Sequence, residues 1–471
     1  MADPLYLLGV DQLVRAFQAG ELSPVEVLQS VLAHAEVTNP VVNAFSCIDG
    51  ERALHAARAS ELRWRNHNPM GPMDGVPFTL KDHIPSAGLW SFAGSNAVTP
   101  PGPDLVDAPV AARLKEAGAI MLGKTTMPDF GLIPSGISSR FGVTRNPWDN
   151  TRNSGGSSSG AAAAIATGLG PLAIGTDGGG SIRIPASFCG VFGLKPSYGR
   201  VPVLEPAPWV VTGPITRSVV DAALVMNVIS RPDVRDFSAL PYDPRDYREG
   251  LDSGVRGARI GLLEHMGFGP AVDPQVHHKL MQAARVFETL GAVVEPIPPL
   301  FGQTPEPDFD RVLHLRTYLL FSTMTNAQQQ AMLPVLAHWC RDENAESKQQ
   351  LMQSMLNTGL IRRAALAPFT RCEFVLTPVM AMLPFAADLA WAPGHSAHNP
   401  FCFPFNMSEQ PAATIHGGFS REGLPVGLQI VGRRFDDRGV LRAAHAYDCE
   451  TRFLAQRPAQ AARPGGKGGT A

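Results

Sequence analysis

Apolar and polar positions along the chain repeatedly follow the pattern of a helix that leads into a buried strand. Asp107 is placed to cap a helix that runs through Ala117, where Gly118 ends it and the apolar run "AIMLG" follows. The same order recurs in the middle of the chain, where a helix opened by Asp273 is stopped by Gly291 and "AVVEPI" follows. Both stretches predict a helix connected directly to a strand.

Five further apolar runs predict strands of the same sheet. They are "VPFTL" before Lys81, "PLAIGT" before Asp177, "RIGLLE" from Arg259, "FVLTP" from Phe374 and "VGLQIV" from Val426. Apolar strands that alternate with helices are typical of sheets that are covered on both faces. We therefore predict an α/β fold, with a large mixed, mostly parallel twisted β-sheet and helices on both faces.

The chain is long enough for one large α/β domain or two smaller ones, and we predict a single domain over residues 1–456. Within it, residues from about 230 to 370 contain few glycine-rich motifs. They are predicted to form helices that cover the sheet and to include the variable part of the substrate pocket. The tail, residues 457–471, is rich in Pro, Gly and Ala and is predicted to be disordered.

Composition is compatible with an ordinary soluble enzyme and gives no sign of a charged partner. The chain has 471 residues, of which 44% are hydrophobic, and a formal net charge of −2. Such a balance gives no electrostatic basis for binding nucleic acid or an anionic membrane, and neither is expected as a partner. The most apolar run, residues 161–174, is too short for a bilayer and is interrupted by Gly and Pro.

The first residues show no basic segment followed by an apolar stretch, so we expect no secretory signal and a cytoplasmic location. Six scattered cysteines without a C-x-x-C pair predict reduced, mostly buried thiols. The sequence also contains no H-E-x-x-H motif. We therefore predict no metal and no other cofactor.

Three polar features carry the candidate chemistry, and each has an ordinary structural explanation when taken alone. Lys81 stands at the end of a predicted strand, where a solvated charge or an ion pair is common. The stretch "NSGGSSSGAAAA" resembles a polar linker with a serine N-cap. The third, "GTDGGGSIR", could be a flexible turn, although successive unhindered N–H groups also form anion-binding concavities.

Two competing motifs fit less well. Gly156, Ser158 and Gly160 match the G-x-S-x-G elbow of α/β-hydrolases, but that elbow needs a strand before it, and "NPWDNTRNSG" is a loop. No histidine is marked by its spacing as a partner for such a serine. Residues 118–125 match the letters of the phosphate-binding motif G-x-x-x-x-G-K-[ST], but their centre is the predicted strand "AIMLG" and not a loop, so no phosphate-binding site is expected.

Taken together, the three features resemble the amidase signature family. The resemblance is carried by "GGSSSGAAAAIA", by "GTDGGGSIRIPASFCGVFGLKPSYGRV" and by the lysine in "GPMDGVPFTLKD". Supporting stretches such as "FGVTRNPWDN", "FPFNMSEQPAATI" and "GLPVGLQIVGRRFDD" extend it over residues from about 10 to 455. The combination is specific for this family, and it implies the amidase signature fold.

The resemblance implies a role for each matching residue. Ser181 corresponds to the nucleophile, Ser157 to a bridging serine held by a cis peptide bond, and Lys81 to the base. The family's oxyanion hole corresponds to the backbone amides of Gly178, Gly179, Gly180 and Ser181. The family often has Thr or Ile at position 178 and Gly at position 159, and both departures leave the three side chains intact.

This chemistry needs no histidine if the lysine is neutral. Burial disfavours an ammonium ion and lowers the pKa of a lysine, so that Lys81 could accept a proton through Ser157. Asp177 and Arg183 flank the glycine run, and we predict that they form a structural ion pair. Cys189 is predicted to be a packing residue, and His83 to be a surface residue or one that supports the site from outside.

The sequence leaves the substrate open among amides, anilides and carbamates. The resemblance includes the glutaminase subunit of a tRNA amidotransferase, which is disfavoured because "PVLEPAPWVVTGPITR" lacks that subunit's SLDQ-like segment. Loop 131–142 and residues 300–400 are predicted to line the pocket, with apolar stretches that hint at a neutral acyl or aryl group. A non-hydrolytic scaffold and a glutaminase-type subunit of an amidotransferase complex remain alternatives for the function, and association into a homodimer is left open.

Overall fold

A computed structural model describes residues 3–341, 347–392 and 399–459. Eleven strands form one sheet in the order β1-β3-β2-β6-β8-β7-β12-β13-β11-β9-β10, and β4 and β5 form a separate ribbon. The strands are β1 Phe45–Ile48, β2 Pro77–Lys81, β3 Ile120–Thr125, β4 Ile137–Ser138, β5 Gly142–Val143, β6 Leu172–Asp177, β7 Phe192–Lys195, β8 Val211–Thr216, β9 Arg259–Leu262, β10 Val293–Pro296, β11 Phe374–Pro378, β12 Ala412–Phe419 and β13 Pro425–Gly432.

Helices cover the sheet on both faces. They are α1 Val10–Ala19, α2 Pro24–Val42, α3 Gly50–Arg65, α4 Pro109–Glu116, α5 Ser159–Thr167, α6 Arg183–Cys189, α7 Val219–Ile229, α8 Pro274–Thr289, α9 Glu306–Ser322, α10 Asn326–Ala331, α11 Pro334–Trp339, α12 Lys348–Leu366, α13 Phe403–Met407 and α14 Asp437–Thr451. Helices α1, α4, α7, α8 and α14 share one apolar core with the sheet, and α2, α3, α5 and α6 share another. The α/β fold with a helix-covered mixed sheet is confirmed.

The expectation that the sheet is mostly parallel is wrong in detail. Parallel pairing occurs toward the two ends, between β2 and its neighbours β3 and β6 and between β9 and its neighbours β10 and β11. The central strands β8, β7, β12, β13 and β11 pair antiparallel. These strands are also buried on both faces, so their apolar runs look the same in sequence as those of parallel strands.

The two helix–strand predictions differ in their outcome at the cap. Helix α8 begins after Asp273, whose carboxylate accepts a hydrogen bond from the Gln275 amide at 2.7 Å, and β10 follows as expected. Helix α4 begins at Pro109 instead, and Asp107 does not cap it. The Asp107 carboxylate is occupied by Lys115 Nζ at 2.6 Å and by a nearby loop amide, while the proline supplies the first helical φ.

Residues 230–370 contain helices α8–α12 together with strands β9 and β10. The assignment of residues 1–456 to one domain stays a prediction. Most of the tail predicted to be disordered, residues 460–471, lies outside the described residues, whereas residues 457–459 are described. No helix in the described ranges combines the length and apolarity needed to cross a membrane.

Candidate active site

Lys81 lies at the end of a buried strand and points toward the serine loop. Phe78 and Leu80 of β2 pack into the core on one face of the sheet, so the alternation along the strand directs Lys81 to the other. The side chain is buried, with 1% of its surface exposed. Its Nζ donates hydrogen bonds to Ser157 Oγ at 2.7 Å and to Thr176 Oγ1 at 3.1 Å.

The environment of Lys81 favours the neutral amine. Burial lowers its pKa from 10.5 to about 7, and only the charge of Asp177 opposes this shift. The contacts to Lys81 Nζ are hydroxyl groups, which do not neutralise an ammonium ion. A substantial fraction of this lysine is therefore unprotonated near neutral pH and able to accept a proton.

Ser157 lies in a tightly packed loop that precedes α5. The Gly156–Ser157 peptide bond is cis, as the resemblance implies. A side chain at Gly156 would have its Cβ 2.4 Å from the Ser135 carbonyl oxygen, so only glycine fits there. A Cβ on Gly131 would lie 3.1 Å from Ser157 Oγ, which brings the start of the predicted wall loop 131–142 against this serine.

Hydrogen bonds of Ser158 join the serine loop to the glycine run. The Ser158 amide donates to the Ser181 carbonyl oxygen at 3.0 Å, and the Ser158 hydroxyl donates to the Thr176 carbonyl oxygen at 3.2 Å. Because β2 and β6 are parallel neighbours, Lys81 and the glycine run also stand at the same edge of the sheet. The structure thus brings together Lys81, Ser157 and the backbone of Ser181.

The glycine run 178–180 presents its backbone to the site. Gly180 has a φ of 121°, and a Cβ there would come within 2.8 Å of Ile184 and 2.9 Å of Cys402. Its amide is not free, because it donates to Asp177 Oδ1 at 2.8 Å. In the described part of the chain, the amides of Gly178, Gly179 and Ser181 have no acceptor, so three of the four expected donors are available.

Asp177 and Arg183 form the expected ion pair, and it is fully buried. Arg183 Nη2 lies 2.9 Å from Asp177 Oδ1, and Arg183 Nε lies 3.0 Å from Oδ2. Burial alone would raise the pKa of Asp177, but the charge and hydrogen bonds of Arg183 hold it well below its usual range. The same carboxylate accepts the Gly180 and Ile182 amides, so the pair fixes the shape of the loop that carries Ser181.

Two polar side chains that the sequence analysis did not single out complete this network. Asn406 donates to the Asp177 carbonyl oxygen and to its Oδ1, both at 2.9 Å, and it also contacts Arg183. Gln429 Oε1 accepts a hydrogen bond from Arg183 at 3.0 Å. Both residues lie in stretches that carried the family resemblance, but nothing in their spacing indicated a contact across more than 200 residues.

Thr176 links Lys81 to His83. Its hydroxyl lies 3.1 Å from Lys81 Nζ and 3.4 Å from His83 Nε2, while His83 Nδ1 lies 3.1 Å from Met127 Sδ. Burial, with the charges of Lys81 and two other cations, holds the pKa of His83 well below 6.5. His83 is therefore neutral, and it contacts the Thr176 hydroxyl, which in turn contacts Lys81. The sequence analysis missed Thr176 because this residue appeared only as the end of a strand.

Aromatic side chains form a wall opposite the glycine run. Phe309 of α9 stacks on Phe403 at 4.5 Å between ring centroids, and both lie within 3.9 Å of the place where a Cβ on Gly179 would stand. The Val210 side chain approaches Gly178 in the same way, at 3.1 Å. Part of the predicted lining, residues 342–346 and 393–398, falls outside the described residues.

The cysteines show the pattern expected of packing residues. All six are free thiols, and four of them, Cys189 included, are buried. Burial raises the pKa of Cys189, so its thiol stays protonated. Over residues 3–341, 347–392 and 399–459, no three His, Cys, Asp or Glu side chains form a group that could hold a metal ion.

The chain matches a family model described as amidase over residues 26–441. It is 33% identical over 498 residues to a glutamyl-tRNA(Gln) amidotransferase subunit of Chloroflexus aurantiacus, in a match that covers 96% of this chain and 99% of that protein. Among solved structures, a bacterial aryl acylamidase of the amidase signature family superposes with a TM-score of 0.90 at 30% identity, covering 98% of this chain and 100% of that one.

A third relative differs in its named substrate. The peptide amidase from Stenotrophomonas maltophilia superposes with a TM-score of 0.78 at 30% identity, over 94% of this chain and 97% of that one. The two solved relatives thus share the fold with this chain over nearly their whole length, while their names point to different amides. The sequence motifs, the buried lysine–serine contact and these matches lead to one conclusion: the chain belongs to the amidase signature family of hydrolases.

Proposed function

We propose that this protein hydrolyses the C–N bond of a carboxylic amide through an acyl-enzyme on Ser181, with Ser157 and Lys81 as its proton-transfer partners. The observation that carries the proposal is the 2.7 Å contact between Lys81 Nζ and Ser157 Oγ, in a site where burial lowers the lysine pKa to about 7. An amide is a poor electrophile, so its hydrolysis requires an activated hydroxyl and stabilisation of the oxyanion.

In the first step, Ser181 Oγ attacks the carbonyl carbon of the substrate. Its proton passes to Ser157 Oγ, while the Ser157 proton passes to the neutral amine of Lys81. The carbonyl π electrons move to oxygen, and the amides of Gly178, Gly179 and Ser181 donate to the oxyanion. Each such donor is typically worth about 3–4 kcal/mol in the transition state.

The second half of the reaction returns the protons. The C–N bond breaks, the leaving nitrogen takes a proton from Ser157, and Lys81 restores the Ser157 proton. A water molecule then attacks the ester carbon while the same relay takes its proton. The bond from that carbon to Ser181 Oγ breaks, the relay returns the proton to Ser181 Oγ, and the carboxylic acid leaves. Gly180 serves this scheme indirectly, because its amide holds the Asp177 carboxylate and so shapes the loop.

The lining favours an uncharged aryl or other apolar group next to the scissile bond. Phe309, Phe403 and Val210 border the glycine run with apolar surface. An anilide, an aryl-substituted amide or a carbamate fits this wall, and the similarity to an aryl acylamidase supports the same class. We therefore propose small aryl amides as the first substrates to test.

A second candidate is a glutaminase-type subunit of an amidotransferase complex. Identity of 33% along the full length of such subunits favours it. The segment 202–217 argues against it, because it lacks the SLDQ-like stretch of that subunit and carries the apolar residues Trp209 and Val210. Release of ammonia from glutamine at rates above those for anilides would favour this candidate over an aryl amidase.

The deciding experiment combines turnover with covalent labelling. A panel of simple anilides, primary amides and carbamates is assayed with the wild type, Ser181→Ala and Cys189→Ala. We expect hydrolysis of at least one class, its loss in Ser181→Ala, and little change in Cys189→Ala. Mass spectrometry after treatment with a fluorophosphonate should find the label on Ser181, and a label on Ser158 or Cys189 would contradict the proposal.

A further inference from the structure

A cavity next to Asp82 lies outside the proposed catalytic site. It has a volume of about 260 Å³ and lies between the end of β1 and the loop that follows β2. Its lining residues are Ser46, Cys47, Ile48, Asp49, Asp82, Leu89, Trp90 and Phe92. This is far more room than one water molecule needs, and enough for a small organic ligand.

Two polar atoms in the cavity wall lack well-formed hydrogen bonds. Asp82 is 1% exposed, and its Oδ2 accepts the amides of Phe92 at 3.1 Å and Gly94 at 3.0 Å. Its Oδ1 is buried, and among the described residues the Ser46 hydroxyl approaches it as a donor without forming a well-aligned hydrogen bond. Burying a carboxylate oxygen without a well-aligned donor is energetically costly. This oxygen is therefore available to accept a hydrogen bond from a ligand.

The charges around Asp82 leave its carboxylate without a cation of its own. The nearest ammonium, Lys124 Nζ, lies 2.9 Å from Asp104 Oδ2 and donates to the main-chain oxygen of Asp82, not to its carboxylate. A second acid, Asp49, also lines the cavity. Burial raises the pKa of Asp82, although its amide donors, the charge of Lys124 and the nearby Ser46 hydroxyl oppose the shift.

Aromatic rings supply the rest of the cavity wall. Trp90 and Phe92 lie nearly parallel, with centroids 6.0 Å apart, and Trp90 remains 43% exposed. The Arg140 guanidinium lies over the Phe92 ring at 3.4 Å, so that ring already has a cation, whereas none is recorded over Trp90 among the described residues. An indole beside a carboxylate that has no cation is a combination suited to an organic cation.

We propose that this cavity binds a small organic ammonium ion, whose N–H groups donate to Asp82 Oδ1 and the Ser46 hydroxyl and whose apolar part packs on Trp90. The carboxylate selects the positive charge, and Leu89 and Ile48 favour a compact apolar substituent. The site does not depend on the proposed hydrolytic function, because it uses neither Ser157 nor Ser181. It is a ligand site additional to the catalytic one.

The probe for this site is benzylammonium, with benzyl alcohol as its neutral counterpart, titrated calorimetrically into the full chain near neutral pH. We expect one benzylammonium per chain, and benzyl alcohol at least about tenfold weaker, because a charge-assisted hydrogen bond is lost. Asp82→Asn is the matched variant, since an amide oxygen can still accept the Phe92 and Gly94 amides. It should bind benzylammonium at least about tenfold more weakly than the wild type.

Binding of benzylammonium elsewhere, including the catalytic pocket, would survive in Asp82→Asn and would overturn the proposal. The same holds if the wild type gives no binding up to about 10 mM, or if the alcohol binds as tightly as the ammonium. If Asp82→Asn does not fold, Ser46→Val and Trp90→Ala decide the matter. The Ser46 hydroxyl makes only a poorly aligned contact with Asp82, and neither Ser46 nor Trp90 belongs to the buried core, so unchanged affinity in both variants would contradict the site.

Discussion

The serine and glycine loops and the helical cover are built in opposite ways. Residues 153–175 are buried almost without interruption, and their polar side chains are hydrogen-bonded to backbone or to other side chains. Helix α12 in the cover buries only Ser354, Ile361 and Ala365, and exposes apolar side chains such as Leu356 at 65%. The first region has little freedom to change, whereas much of the second faces solvent.

This difference assigns separate tasks to the two regions. A buried lysine, two serine-bearing loops and a buried ion pair set protonation states and backbone directions, which the proposed chemistry requires to be fixed. The cover contributes apolar contacts through α9, and such contacts select a substrate without taking part in bond making. Substitutions in the buried region should therefore change kcat, and substitutions in the cover should mainly change KM.

The largest effect is expected at the proposed nucleophile. Ser181→Ala removes the oxygen that forms the acyl-enzyme, so kcat should fall by about 10⁴-fold or more. The melting temperature should stay within a few degrees, because the structure uses the Ser181 carbonyl, not its hydroxyl, to bind Ser158. Steady-state assays and thermal unfolding check both statements, and appreciable turnover by this variant would remove Ser181 from the mechanism.

Lys81 comes next, because it sets the protonation state. In the wild type kcat/KM should rise with pH along a limb near 7, since the neutral amine is the base and the acid form predominates below that pKa. Lys81→Ala should lose most activity, about 10³-fold or more, and the remnant should lack the limb. Lys81→Arg should be equally damaging, because a guanidinium cannot accept the proton.

The histidines provide the matched control for this prediction. His83→Asn and His416→Asn should retain a limb, because burial keeps both rings neutral in the folded chain. For His83 a shift of the limb is compatible with its contact to Thr176, but disappearance of the limb is not. A working Lys81→Arg enzyme, or a pH profile unchanged by Lys81→Ala, would exclude the lysine-base mechanism.

The buried ion pair allows a test on stability instead of activity. Arg183→Met leaves the Asp177 carboxylate buried without its cation, and breaking such a pair typically costs about 3–5 kcal/mol of unfolding free energy. Arg363→Met on α12 is the matched change in the cover and should cost less than about 0.5 kcal/mol. Urea unfolding measures both, and equal costs would contradict the contrast between the two regions.

Gly179→Val tests whether the glycine run faces the substrate. A Cβ at this position meets nothing closer than 3.8 Å, so the fold can accept a side chain. The branched side chain would nevertheless enter the space next to the proposed oxyanion donors, and kcat should fall by about 10²-fold or more. Full activity with an intact fold would mean that the run is only a turn.

Comparing the predicted site residues and strand directions with the structure shows what the sequence could predict. Lys81, Ser157 and Ser181 were selected because a resemblance supplied their roles, and burial with close packing explains why glycine and serine stand beside them. The engagement of Gly180 by Asp177 was not predictable, because it depends on where one carboxylate oxygen points. Asn406 and Gln429 were missed for a related reason, since their contacts join strands and helices distant in sequence. Strand direction was misjudged because burial on both faces erases the difference between parallel and antiparallel runs.

The smallest effect is expected in the cover itself. Phe309 stacks on Phe403 beside Gly179, so Phe309→Leu should weaken an aryl contact and keep an apolar side chain in place. An aromatic pair is worth about 0.5–1.5 kcal/mol, which corresponds to roughly a 2- to 10-fold rise in KM for an anilide. The kcat for the anilide, and both constants for a small aliphatic amide, should change less than about twofold. Leu356→Gln, on the exposed side of α12, is the control and should leave all four constants unchanged. A fall in kcat with KM unchanged would place Phe309 in the chemical step and would end the division of tasks between the two regions.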